Sequence, residues 1–287
     1  MHTRTILQSD DEYPEVLAHI PDPPKRLFAA GQAITGFMQR PRVAIVGSRK
    51  VSAYGKAVTT QLARGLAQAG VVIVSGLAIG VDGLAHRAAL EAGGTTIAVL
   101  PGSLDEIYPS GHVQLARQIV EQGGLLLSEY APGAVTYKTN FVARNRIVSG
   151  LCDGVLITEA ALKSGTLHTA RFALEQGREV MAVPGNITST SSEGTNNLIR
   201  AGAVPVTALE DIFHALGIAE PAARKQQPSS REPHEQLVLD LVAAGTQDGN
   251  TLLQASNLDA AVFNQIMTML EISGKIRTVG GNQWALR

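Results

Sequence analysis

The sequence predicts an α/β protein: a doubly wound, mostly parallel sheet followed by a small winged helix. Three observations carry this expectation. Short apolar runs alternate with helical stretches between residues 41 and 217, and strand–helix–strand repetition of this length builds a parallel sheet covered on both faces. Residues 218–233 hold Pro221, Pro228 and Pro233 among polar side chains and read as a linker. Residues 234–287 show three helical patterns and then a hairpin pattern.

Residues 1–40 read as a short N-terminal extension with Pro14, Pro21, Pro23 and Pro24 and little periodicity. Strands are predicted at Arg42–Val46, Val71–Val74, Thr96–Leu100, Gly124–Leu127, Gly154–Thr158, Glu179–Val183 and Ala203–Val206, all nearly continuous apolar runs. Helices are predicted at Tyr54–Gln68, Gly83–Glu91, Val113–Gln122, Thr166–Glu175 and Asn196–Arg200. Val58, Leu62, Leu66 and Ala69 make the apolar stripe of the first. In the tail, Glu235–Val242 and Ala260–Ser273 read as helices and Thr251–Ala255 as a short helix or turn. Lys275–Val279 and Gln283–Leu286 read as strands around the turn Gly280-Gly281-Asn282.

Composition narrows the function. With 45% hydrophobic and 17% charged residues in 287, the chain builds cores and is not a disordered tail. Its 24 basic and 25 acidic residues leave a net charge of −1. That excludes coating nucleic acid through overall charge but leaves room for a local basic pocket. Cys152 is the single cysteine, so neither an internal disulfide nor a cysteine-only metal site is possible. With a polar N-terminus and no apolar run near ~18 residues, the expected setting is reducing and cytoplasmic, with no membrane span. No cofactor or metal is expected.

Ligands of such sheets bind beyond the C-terminal ends of the strands, so the loops there carry the information. The first is Gly47-Ser48-Arg49-Lys50. Its glycine permits a tight turn, Ser52 is placed to cap the next helix, the positive end of that helix favours a phosphate, and Arg49 adds a planar fork. A tight turn with a solvated arginine fits equally, and both the dinucleotide glycine fingerprint and the Walker A pattern are missing. The second loop, Ser75 to Asp82, sets Asp82 and His86 four apart at a helix start. They read as a cap with a satisfied histidine, or as an acid–base pair lacking a nucleophile. Ser164-Gly165-Thr166, after Lys163, is either a phosphate nest or ordinary helix capping. The polar tract Thr188–Ser192 reads as a mobile flap.

The densest stretch runs from Lys138 to Arg146, with three basic residues, no acid, and Phe141 three positions from both Lys138 and Arg144. Cations for phosphates and a ring for a base suit single-stranded nucleic acid; a solvated charge run packed by Phe141 and Ile147 is the plainer alternative. Arg49, Lys138, Arg144 and Arg146 would supply positive charge at one sheet edge. Glu129 and Glu159 are costly if buried alone, and at least one is expected to orient Arg144 or Arg146.

Several strings carry a resemblance. They are Ala44-Ile45-Val46-Gly47-Ser48-Arg49, Val74 to Asp82 with His86, Leu127-Ser128-Glu129, Phe141 with Arg144-Asn145-Arg146-Ile147, Thr158-Glu159-Ala160 with Ser164-Gly165, and Ala182-Val183-Pro184-Gly185. In this order and spacing the chain resembles the DNA-processing protein A (DprA/Smf) family from about residue 13 onward. The resemblance implies an extended Rossmann-like domain that binds single-stranded DNA, protects incoming strands during natural transformation (competence), and helps load the RecA recombinase past single-strand-binding protein. It implies a homodimer through that domain and no enzymatic activity. Apolar residues Ile212, Phe213 and Leu216 are candidates for the dimer surface. The DNA site it implies comprises Gly47, Ser48, Arg49, Lys138, Phe141, Arg144, Asn145, Arg146, Ser164 and Gly165.

Three features depart from the family pattern. The 40 residues before the first predicted strand are too few for the sterile-alpha-motif-type domain of many members. Phe141-Val142-Ala143 stands where many read Phe-Pro, and His168 stands where a plainer residue is usual. From His234 to Arg287 there are three basic residues (Lys275, Arg277, Arg287) against five acidic ones, and Ala260–Ser273 has no Lys or Arg. A groove-reading helix normally brings basic or amide contacts, so the tail is expected to contact protein or to regulate. The alternative function is a nucleotide-processing enzyme of the lysine-decarboxylase-like phosphoribohydrolase type, but Pro101-Gly102-Ser103 lacks the rest of that motif. A dinucleotide-binding oxidoreductase is weakened by the missing glycine fingerprint.

Overall fold

The computed structural model describes residues 2–219 and 232–286. Most of the expected linker, and Arg287, lie outside the described residues. The chain divides into two units, residues 1–220 and 221–287. In chain order the first holds β1 (Arg4–Leu7), α1 (Glu15–Ala18), β2 (Arg26–Gly31), α2 (Thr35–Met38), β3 (Arg42–Val46), α3 (Ala53–Gln68), β4 (Val72–Ser75), α4 (Val81–Glu91) and β5 (Thr96–Leu100). It continues with α5 (Val113–Glu121), β6 (Leu125–Ser128), α6 (Lys138–Gly150), β7 (Gly154–Ile157), α7 (Thr166–Glu175), β8 (Glu179–Ala182), α8 (Glu193–Arg200), β9 (Val204–Pro205) and α9 (Leu209–Leu216).

The sheet order is β1-β2-β6-β5-β4-β3-β7-β8-β9, parallel from β6 to β9. Successive residues of each strand serve opposite faces. Ala44, Val46, Val155 and Ile157 join the layer containing Ile147 and Ala170 of α6 and α7. Val43, Ile45 and Leu156 join the layer of Leu62 and Ala85 from α3 and α4. Burial on both faces is why these strands read as unbroken apolar runs.

Three expectations are corrected. The first 40 residues are not an extension: Arg4–Leu7 and Arg26–Gly31 are strands of the sheet, β2 pairing antiparallel with both β1 and β6. Leu27 and Ala29 enter one core and Phe28 and Ala30 another, with the prolines confined to the connection before them. The stretch from Lys138, outside every predicted helix, forms α6. Ile212 and Phe213 on α9 are buried among the side chains of α3 and β8, and Leu216 packs on them, so they offer no open dimer surface.

The second unit holds α10 (Pro233–Ala243), α11 (Gly249–Ser256), α12 (Ala260–Ile272) and the antiparallel pair β10 (Ile276–Gly280) and β11 (Gln283–Leu286). Asp248 and Asp259 cap α11 and α12 by accepting from the N–H groups of Thr251 and Ala261. This is the expected winged helix, around Val238, Leu252, Phe263 and Leu270. Among the described residues no helix is long and apolar enough to cross a membrane.

Two outcomes follow from the packing. A chain beginning at Pro41 bares the β6 edge and the apolar faces that β2 covers. Its soluble yield should collapse relative to the full chain; a cooperatively unfolding truncation would contradict the role assigned to β2. The second concerns His86 of α4, which is fully buried. Thr96 Oγ1 gives its proton to Ile73 O, so His86 Nδ1 carries the hydrogen across the 2.6 Å contact to Thr96, and Nε2 has no partner. Burial, then the neighbouring His112 and Arg144, push the pKa down to about 3. Below ~6.5 only the unfolded chain takes up this proton, so stability falls as pH drops from there toward 3, by about 1.4 kcal/mol per pH unit. Denaturant unfolding from pH 7.5 to 4.5 should show that decline, and His86→Leu should flatten it; an identical slope in the variant would refute the assignment.

Candidate nucleic-acid interface

The chain builds the sheet outward from β3 through β4, β5 and β6, then returns to β3's other side with β7. The loops after β3 and β7 therefore face each other at the switch point, where open α/β sheets bind ligands. A cleft of about 870 Å³ opens there. Gly47 to Lys50 line it from the first loop, Lys163 to Thr166 from the second, and α6 forms a third wall.

The first loop is tied down from several sides. Ser48 N donates to Glu159 O (2.8 Å), and Thr166 Oγ1 donates to Gly47 O (2.9 Å). Ser48 Oγ accepts from Lys50 N and donates to Lys50 O, so it shapes the turn. Ser52 caps α3 as expected, its Oγ accepting from Gly55 N at 3.0 Å. The anion at that helix end, however, is the protein's own. The Glu159 carboxylate, 2% exposed, accepts from Ser52 N and Ser52 Oγ, and a Cβ at Gly55 would overlap it. A phosphate is not needed there, and Glu159 orients no arginine.

On α6, Lys138, Phe141, Val142 and Asn145 share one helical face, and all four line the cleft. The Phe141 ring meets Tyr108 edge-on, with centroids 5.4 Å apart at 81°. The Arg49 guanidinium lies over the same ring, 5.2 Å from its centre. Residues two apart on a helix diverge by about 200°, so Arg144 and Arg146 take opposite flanks. Arg144 runs beneath the cleft and is 4% exposed. Its Nη1 donates to Gly76 O and Val99 O at the ends of β4 and β5, and Nε donates to Asn145. A Cβ at Gly76 would collide with the guanidinium.

Asp82, also buried, accepts from Gly76 N (3.0 Å) and Ala78 N (3.4 Å). Burial raises its pKa while the charge of Arg144 lowers it. Burial pulls Arg144 down to about 10, against the pull of Asp82, so it stays charged at neutral pH. Asp82 makes no bond to His86; it organises the loop after β4 and no acid–base pair forms.

Arg146 is a correction to the expected site. It does not line the cleft. Its Nη atoms donate to both oxygens of Glu129 (3.0 and 2.7 Å), and its Nε meets Asp22 (2.7 Å to Oδ2). The expected Glu129–arginine pair is thus present and holds α6 to the end of β6, while Asp22 ties the same arginine to the segment before β2. The other nine expected residues all lie on the cleft, with Arg144 and Ser48 already committed to protein partners.

The sequence reading missed three contributors: Lys50, Lys163 and Tyr108 all line the cleft. Lys163 stood beside the Ser-Gly-Thr string and could have been found from it. Tyr108 comes from the loop after β5, Pro101-Gly102-Ser103 to Tyr108-Pro109, which the sequence offers as a floor for the same crevice. Among the described residues no group of three or more His, Cys, Asp or Glu could hold a metal ion.

A cationic cleft at the switch point of a Rossmann-like sheet, joined in sequence to a winged helix, defines the class. Two family models match: DNA recombination-mediator protein A over residues 4–217, and the DprA winged helix domain over 220–282. The chain belongs to the DNA recombination-mediator protein A family. Protein Smf of Escherichia coli is 47% identical over 214 residues, which is 74% of this chain and 56% of that protein. DNA processing protein DprA of Bacillus subtilis is 44% identical, covering 74% and 71% of the two chains. The chain thus spans just over half the length of the first relative. The X-ray structure of DNA processing protein A from Streptococcus pneumoniae superposes with a TM-score of 0.69 at 43% identity, covering 74% of this chain and 73% of that one. A structure addressing the unique single-stranded DNA binding mode of the Helicobacter pylori protein gives 0.68 at 37% identity, covering 76% and 97%.

The arginines should separate in stability measurements. Arg146→Ala strands the Glu129 carboxylate, a quarter exposed, and should cost about 2–3 kcal/mol, below the range for a fully buried pair. Arg49→Ala and Lys138→Ala remove exposed side chains and should leave the urea midpoint within about 0.5 kcal/mol of wild type. Equal losses in all three would contradict this division.

Proposed function

We propose that this protein binds single-stranded DNA without reading sequence, and that the cleft at the β3/β7 switch point is the site. The observation that carries the reading is one aromatic ring, Phe141, set among Arg49, Lys50, Lys138 and Lys163 on the walls of one cleft. Phosphates are gripped by the cations and by backbone N–H groups of the Gly47–Lys50 and Ser164-Gly165 turns; a base packs on Phe141 once Arg49 swings to a phosphate. Membership of a recombination-mediator family, and the single-stranded DNA binding named for the Helicobacter pylori relative, support this.

In the cell the protein is proposed to act as a homodimer through the Rossmann-like unit. It would shield incoming strands during natural transformation and deliver them to RecA recombinase in competition with single-strand-binding protein. Its role is binding and not catalysis, in the cytoplasm. The winged helix is proposed to contact protein: Met269 and Ile272 on α12 are 51% and 76% exposed, and Lys275 is engaged by Glu235 at 3.4 Å.

Binding to single- and double-stranded oligonucleotides of one sequence, measured across salt, tests the reading. Single strands should bind tighter at ~0.15 M salt. Arg49→Ala or Lys138→Ala should weaken binding and reduce the salt slope by roughly 0.7. Phe141→Ala should cost about 1–3 kcal/mol with the slope nearly unchanged. Equal affinity for both strand forms would sink the proposal, and release of base or phosphate from nucleoside monophosphates would favour the phosphoribohydrolase alternative.

A further inference from the structure

A second cavity of about 500 Å³ adjoins the cationic cleft, the two sharing Ser191 as a wall. Its other walls include Ser52, Tyr54, Pro184, Asn186 and Ser189. The chemistry changes abruptly between the two. The cleft is lined by four lysines and arginines beyond the buried Arg144, whereas no charged side chain lines this cavity. Its volume falls within the usual range of small-ligand sites.

The cavity is built and held. Tyr54 Oη donates to Pro184 O at 2.7 Å, fixing the ring against the loop after β8. Asn196 clamps the same loop from the other side, accepting from Gly185 N and donating to Gly185 O, both at 3.1 Å. Ser189 and Ser191 are hydrogen-bonded to each other at 2.9 Å. The tract 188–192, expected to be a mobile flap, supplies one wall of the cavity. Tyr54 is nonetheless 48% exposed, and Ile187, next to Asn186, is 88% exposed.

We infer that this cavity receives an unpaired nucleobase of the strand whose backbone lies in the cationic cleft. The inference rests on the single-strand reading above. A phosphate is the wrong occupant: the N-terminus of α8, at Ser192 on the cavity wall, carries Glu193 in its first turn, and the N-terminus of α3 at Ser52 is already closed by the Glu159 carboxylate. A second anion would meet that carboxylate with no cation to offset it. A base is neutral, presents a flat face to Tyr54, and offers edge donors and acceptors to Asn186 and Ser189. Two base sites, Phe141 and Tyr54, would then flank one phosphate track.

A cycle over ring and base tests this, using a dT oligomer and an abasic oligomer of equal length that keeps every phosphate. Tyr54→Ala should weaken dT binding roughly fivefold or more, the low end for one stacked base. It should leave abasic binding and the salt slope unchanged. Tyr54→Phe keeps the ring while losing the bond to Pro184, and should bind dT within about twofold of wild type. The inference is overturned if Tyr54→Ala binds dT as wild type does, if it weakens dT and abasic strands alike, or if Tyr54→Phe loses as much as Tyr54→Ala. Each of these outcomes leaves the single-strand reading standing. A wild type that binds neither oligomer removes that reading and this inference together.

Discussion

The buried guanidinium of Arg144 is the constraint around which the cleft is organised. A parallel sheet leaves backbone carbonyls unpaired at its strand ends, and here Gly76 O and Val99 O would face the underside of α6. Arg144 satisfies both. Doing so fixes the rotation of α6, which places Lys138, Phe141 and Asn145 on the open side. It also requires glycine at position 76, whose N–H donates to Asp82, and Asp82 in turn holds the loop between β4 and α4. The arginine most easily mistaken for a phosphate ligand is the one that orients the others.

The carboxylates sort the positive charge in the same way. Glu129 and Asp22 engage Arg146, Glu159 closes the α3 N-terminus, and Asp82 faces Arg144. Arg49, Lys50, Lys138 and Lys163 on the cleft walls have no salt bridge among the described residues. A chain with a net charge of −1 thereby presents a locally cationic groove. The groove's field comes from this allocation and not from an excess of basic residues.

The winged-helix unit follows a different logic. Its helix α12 turns Phe263, Ile266 and Leu270 inward and leaves Val262, Met269 and Ile272 at the surface, with no basic side chain along its length. Such a helix face offers apolar area and no cation for a phosphate backbone. The two units of the chain thus carry distinct surface chemistries, one cationic and one apolar.

Local chemistry alone determined much of this protein. Apolar runs such as Arg42–Val46 and Thr96–Leu100 announce strands because burial on both faces leaves no polar alternation to blur them. The tail was equally legible, because amphipathic helices and a Gly-Gly-Asn turn are short-range signals. The placement of Gly47, Arg49, Lys138, Phe141 and Ser164 in one cleft followed from the rule that strand-end loops converge. What only the tertiary structure decided lies in long-range pairing. β2 joins β6 across about a hundred residues, and no local pattern reveals that long-range pairing within a proline-rich preface. Phe141, Val142 and Asn145 make a helical face only once α6 docks, since its polar and basic positions hide the apolar periodicity. Arg144 and Arg146, two residues apart, look alike in sequence; the helix sends them to opposite flanks, and the carbonyls or carboxylates waiting there fix what each does.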